Sequence, residues 1–147
     1  MTNYIQKAQE IATKAHMGQV DKAGKDYINH PKRVAERLLN ESENVQVVAW
    51  LHDVVEDTPI TLKDLEQIFN KEVIDALTLL THDKSVPYMD YVEKISHNEI
   101  ARKVKMSDLI DNMNLSRLDI NNITNSELDR VEKYLKAYRF LLNSENK

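Results

Sequence analysis

Apolar residues in this chain recur at three- and four-residue steps from the first segment to the last. No stretch alternates with a period of two for long enough to build a strand. Tyr4, Ile5, Ala8, Ile11, Ala12 and Ala15 share the helical spacing, which predicts a first helix over 3–17. The polar segment 18–29, containing Gly24, reads as a loop. Pro31 suits the first position of a second helix that would bury Val34, Leu38 and Leu39. A third helix is expected from about Asn44 through Val47, Val48, Ala49, Trp50 and Leu51, ending before Thr58-Pro59 because proline disfavours helix in the residue before it. Thr61 with Asp64 reads as an N-cap pair for a fourth helix. Val73, Ile74, Leu77 and Leu80 mark a fifth. Pro87 opens a sixth that ends near His97, and Ile100, Val104, Met106 and Ile110 mark a seventh. Ser126 is read as the cap of a last helix carrying Leu128, Val131, Leu135, Tyr138 and Leu142. The chain holds only 2 glycines and 3 prolines in 147 residues, too few for a turn-rich sandwich or barrel. The expected fold is all-α: one domain over 1–147, a compact bundle of about seven or eight helices.

Several function classes drop out. Cysteine is absent, which excludes a disulfide framework and a thiolate centre, so any metal must be held by histidines and carboxylates. No apolar run approaches the roughly 18 residues of a membrane span. The opening MTNYIQKAQE lacks the apolar core of a signal peptide, and the expected location is the cytoplasm. A net charge of -4 disfavours non-specific binding of nucleic acid, although a local basic patch can still receive a phosphate.

The densest chemistry lies in LHDVVEDT, 51–58. His52 and Glu56 stand four apart, as do Asp53 and Asp57, so on a helix they line one end of a segment whose earlier turns are apolar, with Val54 and Val55 facing the core. Such groups are costly to bury without a cation, a partner or water. An adjacent His-Asp pair can ligate a divalent ion through nitrogen and oxygen, and metal-bound water is a nucleophile near neutral pH. The bland alternative is a capped, solvated helix end. His30, before Pro31, is either a further ligand or an ordinary residue at a helix start. Asp108 is either a ligand or a solvated helix acid, and Asp111 and Asn112 beside it can equally be exposed.

The order His30-Pro31, His52-Asp53, Asp108 resembles the H…HD…D pattern of HD-domain phosphohydrolases, in particular the hydrolase domain of RelA/SpoT-type proteins and the small stand-alone alarmone hydrolases. The matching pieces are AHMGQ at 15–19, YINHPKRVA at 27–35, LHDVVEDT at 51–58 and VKMSDLIDNM at 104–113. The resemblance implies that His30, His52, Asp53 and Asp108 bind a divalent ion, typically manganese, and that Glu56 and Asp57 position or activate the attacking water. Asn112 matches an active-site asparagine, Tyr134 a nucleotide-contacting tyrosine, and Lys22 and Lys25 would neutralise phosphates. The reaction it implies is release of pyrophosphate from guanosine 3′,5′-bis(diphosphate). The alternatives are hydrolysis of another nucleoside phosphate, or a non-catalytic nucleotide-binding module with the same fold. The partner in each case is a small nucleotide. The resemblance covers the hydrolase pattern and not a synthetase half, so pyrophosphokinase activity is not expected.

The chain departs from the family around the substrate. Asp21 stands where the family has arginine, Asp26 where it has proline, and Leu109 and Asp111 where it has a basic residue and histidine. The segment 80–92, LTHDKSVPYMDYV, lacks the usual basic residue. A carboxylate at Asp21 is expected to repel phosphate. Among other residues, His16 is read as packing at a helix end, His82 as bordering the pocket, and His97 as a surface residue. Arg102, Lys103 and Lys105 either neutralise phosphates or, as a basic helix face more often does, stay solvated, and Trp50 and Phe69 are read as core.

Overall fold

The computed structural model describes residues 2–145. Asparagine, serine and threonine punctuate the chain. Each accepts a backbone N–H in the first turn of the helix it precedes and so satisfies a donor that the helix leaves unpaired. Asn3 opens α1 (Tyr4–Ala15), Ser42 opens α3 (Glu43–Leu51), Asn70 opens α6 (Lys71–Leu80) and Asn98 opens α8 (Glu99–Asn112). Thr61 and Asp64 cap each other's backbone at α5 (Leu62–Glu66), as their spacing predicts. The remaining helices are α2 (Asn29–Glu36), α4 (Val54–Asp57), α7 (Tyr88–Ser96) and α9 (Asn125–Glu145), and two short 3₁₀ turns lie between α8 and α9. Among the described residues there is no strand, only an isolated bridge between Val20 and Asp26, and no helix is long and apolar enough to cross a membrane.

α3 is the axis of the packing. Val45, Val47, Val48, Ala49, Trp50 and Leu51 are all buried. A helix apolar on every side must be surrounded, and α3 packs against α1, α2, α6 and α8. Phe69 is buried beside this core and Leu141 fastens α9 to it.

Four details differ from expectation. The third helix does not run on to Asp57. It stops at Leu51, and α4 begins at Val54, with His52 and Asp53 in the break. α2 starts at Asn29, two residues before Pro31, and Leu39 beyond its end is 65% exposed rather than buried. The cap of α9 is Thr124, whose Oγ1 accepts the Glu127 N–H at 3.2 Å, and not Ser126, which lies inside the helix.

The segment 18–29 folds back on itself. Gly18 and Gly24 take φ of +87° and +79°, the left-handed conformation that favours glycine. The Asp21 N–H donates to Lys25 O and the Tyr27 N–H to Gln19 O. Gln19 Nε2 then donates to the Asp57 carbonyl at 2.9 Å, which ties this loop to α4.

Candidate metal centre and active site

The break between α3 and α4 places the site. His52 sits just past the end of α3, and its Nδ1 donates to the Ala49 carbonyl at 2.7 Å. His30, second residue of α2, is bonded through Nδ1 to Asp111 Oδ2 at 2.6 Å. With Nδ1 of each ring committed as the donor, each imidazole presents Nε2 inward, bare whenever the ring is neutral. The two Nε2 atoms face each other at 3.3 Å. Asp108 Oδ1 lies 2.8 Å from one and 3.3 Å from the other, and Asp53 Oδ2 lies 3.5 Å and 3.1 Å from the same pair. The four donor atoms lie within 4.8 Å of one another. Two bare nitrogens and two carboxylates need a positive charge among them, supplied either by protons on the imidazoles, which the carboxylates favour against burial, or by a metal, and this mixed nitrogen and oxygen set fits a divalent ion.

The surroundings hold these donors in place. Tyr27 donates to Asp53 Oδ2 at 2.6 Å, Lys105 Nζ to Asp108 Oδ2 at 2.9 Å, and Asn112 Nδ2 to Asp108 Oδ1 at 3.1 Å. Ser107 Oγ donates to the Val34 carbonyl at 2.9 Å, which locks α8 against α2 and sets Asp108 opposite His30. Burial works against ionising Asp108, but the Lys105 ammonium outweighs it, joined by His30 and His52 when their Nε2 atoms carry protons in place of a metal, and the carboxyl is held well below the usual range. Burial opposes ionisation of Asp53 as well, yet His52 and His30, protonated where no metal lies between them, bring it down to about 2.

Glu56 and Asp57 stand at the mouth of the same cavity, about 250 Å³ in volume. Glu56 Oε1 accepts the His82 backbone N–H at 2.8 Å. Burial, then the charges of Asp53 and Glu56, push the Asp57 carboxyl up to about 6. That places a proton acceptor near neutral pH beside the metal donors. A second cavity of about 270 Å³ adjoins the first, and Tyr27, Asn112 and Tyr134 line both. Its far wall includes Val20, Leu115, Leu118 and Arg130.

Lys22 reaches the second cavity, whereas Lys25 is exposed and lines neither. Asp21 lines that cavity but turns inward on its own loop, where its Oδ1 accepts the Ala23 and Lys25 N–H groups at 2.8 Å and 3.0 Å. Its carboxylate shapes the turn at the edge of that cavity. Lys105 also departs from expectation. It is not on a solvated face but paired inside the site, with its side chain 12% exposed. His16 is buried, bonded to Gln19 and packed against the Tyr27 ring, whereas His97 is exposed and pairs with Glu93. Asp111, which the sequence left open to solvent, is fully buried and held by Arg33 and Arg37 as well as His30. Arg33 on α2 and Arg37 just past its end are one turn apart, a spacing that lets them share a partner.

Residues 8–107 match the family model described as the HD domain. The chain belongs to the HD-domain family. Its relatives in this family include the zebrafish guanosine-3′,5′-bis(diphosphate) 3′-pyrophosphohydrolase MESH1, 34% identical over 148 aligned residues that cover 92% of this chain and 80% of that protein. The human protein of the same name is 33% identical, over 88% of this chain and 78% of that one. The bifunctional (p)ppGpp synthase/hydrolase SpoT of Escherichia coli is 34% identical over 109 residues, which is 73% of this chain and 15% of SpoT. The solved structure of a metazoan SpoT ortholog that hydrolyses ppGpp matches with a TM-score of 0.77 at 25% identity, covering 97% of this HD-domain chain and 86% of the other.

Proposed function

We propose that this HD-domain protein is a manganese-dependent hydrolase that releases diphosphate from the 3′ position of guanosine 3′,5′-bis(diphosphate). One observation carries the reading. The converging donors of His30, His52, Asp53 and Asp108 sit where a nucleoside-sized, partly apolar cavity opens into a polar one bearing Glu56 and Asp57. The relatives bearing the name of this activity support the choice of substrate.

A divalent ion held by these four residues would offset phosphate charge and make water more acidic; imidazole with carboxylate suits manganese, iron or zinc, and the resemblance to the family favours manganese. Asp111 and the Ala49 carbonyl fix the two imidazole tautomers, which keeps Nε2 available. Asp57 takes the proton of the attacking water, and Glu56, anchored by the His82 N–H, orients it. The new bond forms from the water oxygen to the phosphorus on the ribose 3′ oxygen. The bond from phosphorus to that oxygen breaks, its electron pair stays on the 3′ oxygen, and that oxygen takes up a proton from solvent, while Asp57 returns the proton it took to solvent. The products are a nucleoside 5′-diphosphate and free diphosphate. Asn112 and Tyr134, which line both cavities, guide the ribose, and Lys22 faces phosphate at the outer rim. Lys25 would act from the same loop only if it swung inward.

A panel of nucleotides bearing 3′-diphosphate, 5′-triphosphate or 3′-monophosphate, each incubated with protein and manganese, tests the assignment. Diphosphate release from the 3′-diphosphate alone is the expected result. Cleavage of a different nucleotide in preference would replace the substrate named here.

A further inference from the structure

The Tyr88 hydroxyl is buried and has no hydrogen-bond partner, although its ring lines the metal-side cavity. A buried donor without an acceptor is costly, so its position needs a reason. The ring cannot easily turn away. His82 and Tyr91 pack on it at ring centroid distances of 6.0 Å and 5.8 Å, and Tyr134 approaches at 6.4 Å. Tyr91 beside it has a partner, since its hydroxyl donates to the Leu80 carbonyl at 2.7 Å. Burial pushes the Tyr88 phenol up to about 12, which leaves it a proton-bearing donor at neutral pH.

A cation accompanies the unpaired hydroxyl. Lys133, on α9, lines the same cavity and places Nζ 4.2 Å from the centre of the Tyr88 ring. It makes no ion pair among the described residues, whereas Lys105 is already neutralised by Asp108. Neither Tyr88 nor Lys133 lines the second cavity. Both residues therefore line the compartment that holds His52, Asp53 and Asp108, and not the partly apolar chamber.

We propose that the Tyr88 hydroxyl and the Lys133 ammonium form a subsite for the distal phosphate of the 3′-diphosphate group. This rests on the reaction assigned above. The attacked phosphorus stays with the diphosphate, whose distal phosphate points away from the ribose and into the metal-side cavity. A phosphate oxygen accepts the Tyr88 O–H and pairs with Lys133, as charge-assisted hydrogen bonds require. The subsite distinguishes a diphosphate from a monophosphate, because a single phosphate drawn to an ion held by those four residues has no second group to place there.

Calorimetric titration of the manganese-loaded protein with inorganic diphosphate and, separately, inorganic phosphate tests the subsite without turnover. Tyr88→Phe keeps the ring and removes the hydroxyl, and Lys133→Met keeps the stem and removes the charge. Each is expected to weaken diphosphate binding about tenfold, the scale of one hydrogen bond to a charged group, with phosphate binding little changed. Lys136→Met, also on α9 but outside the cavity, is expected to match the wild type. Diphosphate binding unchanged in both Tyr88→Phe and Lys133→Met would overturn the subsite, even in an enzyme that hydrolyses the alarmone. An equal loss with Lys136→Met, or an equal loss for phosphate, would also overturn it, since general charge would then account for the effect. A wild type that binds diphosphate through Tyr88 and Lys133 but hydrolyses no 3′-diphosphate keeps the subsite and rejects the reaction.

Discussion

Asp111 decides which nitrogen of His30 carries the proton. Its Oδ2 lies 2.6 Å from His30 Nδ1, and Arg33 and Arg37 balance its charge in a fully buried position. Asp111→Ala is expected to weaken manganese binding by about 10–100-fold, the usual cost of losing such a support. Asp111→Asn, which keeps an acceptor, should recover part of it. Equilibrium dialysis against manganese measures both, and an unchanged affinity in Asp111→Ala would remove the role. Asp57 leads to a different prediction. Burial and the charges of Asp53 and Glu56 raise its folded pKa from 3.8 to about 6. The folded state therefore binds this proton more tightly than the unfolded one, and the stabilisation present at acid pH is lost as pH rises through about 6. Asp57→Asn should melt higher than the wild type at neutral pH in metal-free protein, with the gap closing below the unfolded value of 3.8. The same variant should lose roughly 10²–10⁴-fold in hydrolysis. A variant that melts lower at neutral pH would contradict the charge argument, and one with full activity would contradict the role. Much of this layer is hidden in the sequence. Spacing puts Asp108 and Asp111 on one face of α8, but nothing local says that this face meets His30, so Asp111 reads as solvated until α2 and α8 are docked.

The break between α3 and α4 is where local structure makes the site. Asp53 occupies the N-cap position of α4 yet makes no capping bond with its side chain, so its carboxylate is left to face the two histidines. The sequence does not announce this break. Residues 47–55 hold no glycine or proline, and the first breaker is Pro59, so periodicity alone continues the helix to Asp57. The capping residues were legible where side chain and spacing agree, as at Thr61 with Asp64. They were not at α9, where Thr124 and Ser126 are both good caps and only the backbone path chooses between them. The loop before α2 tests how far an element supports the site. A methyl group at Gly24 would meet nothing within 4 Å, so Gly24→Ala carries only the conformational cost of a left-handed residue, about 1–2 kcal/mol. Urea denaturation should show that loss. A loss several times larger would mean that the loop is packed more tightly than its geometry indicates.

At the scale of the molecule, the fold class was readable because a chain with helical spacing throughout and almost no glycine has few other ways to bury its apolar residues. Long-range order was not, since H…HD…D spans 78 residues from His30 to Asp108 and periodicity carries no information about which helices touch. The pattern became informative only through resemblance to a family. The core and the site are also joined. Leu51, fully buried at the end of α3, immediately precedes His52. Leu51→Ala is expected to cost about 2–5 kcal/mol in unfolding free energy, measured by denaturant titration, and to loosen the metal donors with it. The central claim is that four residues brought together by α2, α3, α4 and α8 hold the ion on which hydrolysis depends. It is tested most directly by measuring diphosphate release from guanosine 3′,5′-bis(diphosphate) in manganese, alongside metal content, for the wild type and Asp53→Ala. The account predicts one ion per chain with stoichiometric diphosphate and nucleoside 5′-diphosphate for the wild type, and loss of both ion and release for Asp53→Ala. Full metal occupancy and undiminished release in Asp53→Ala would contradict it.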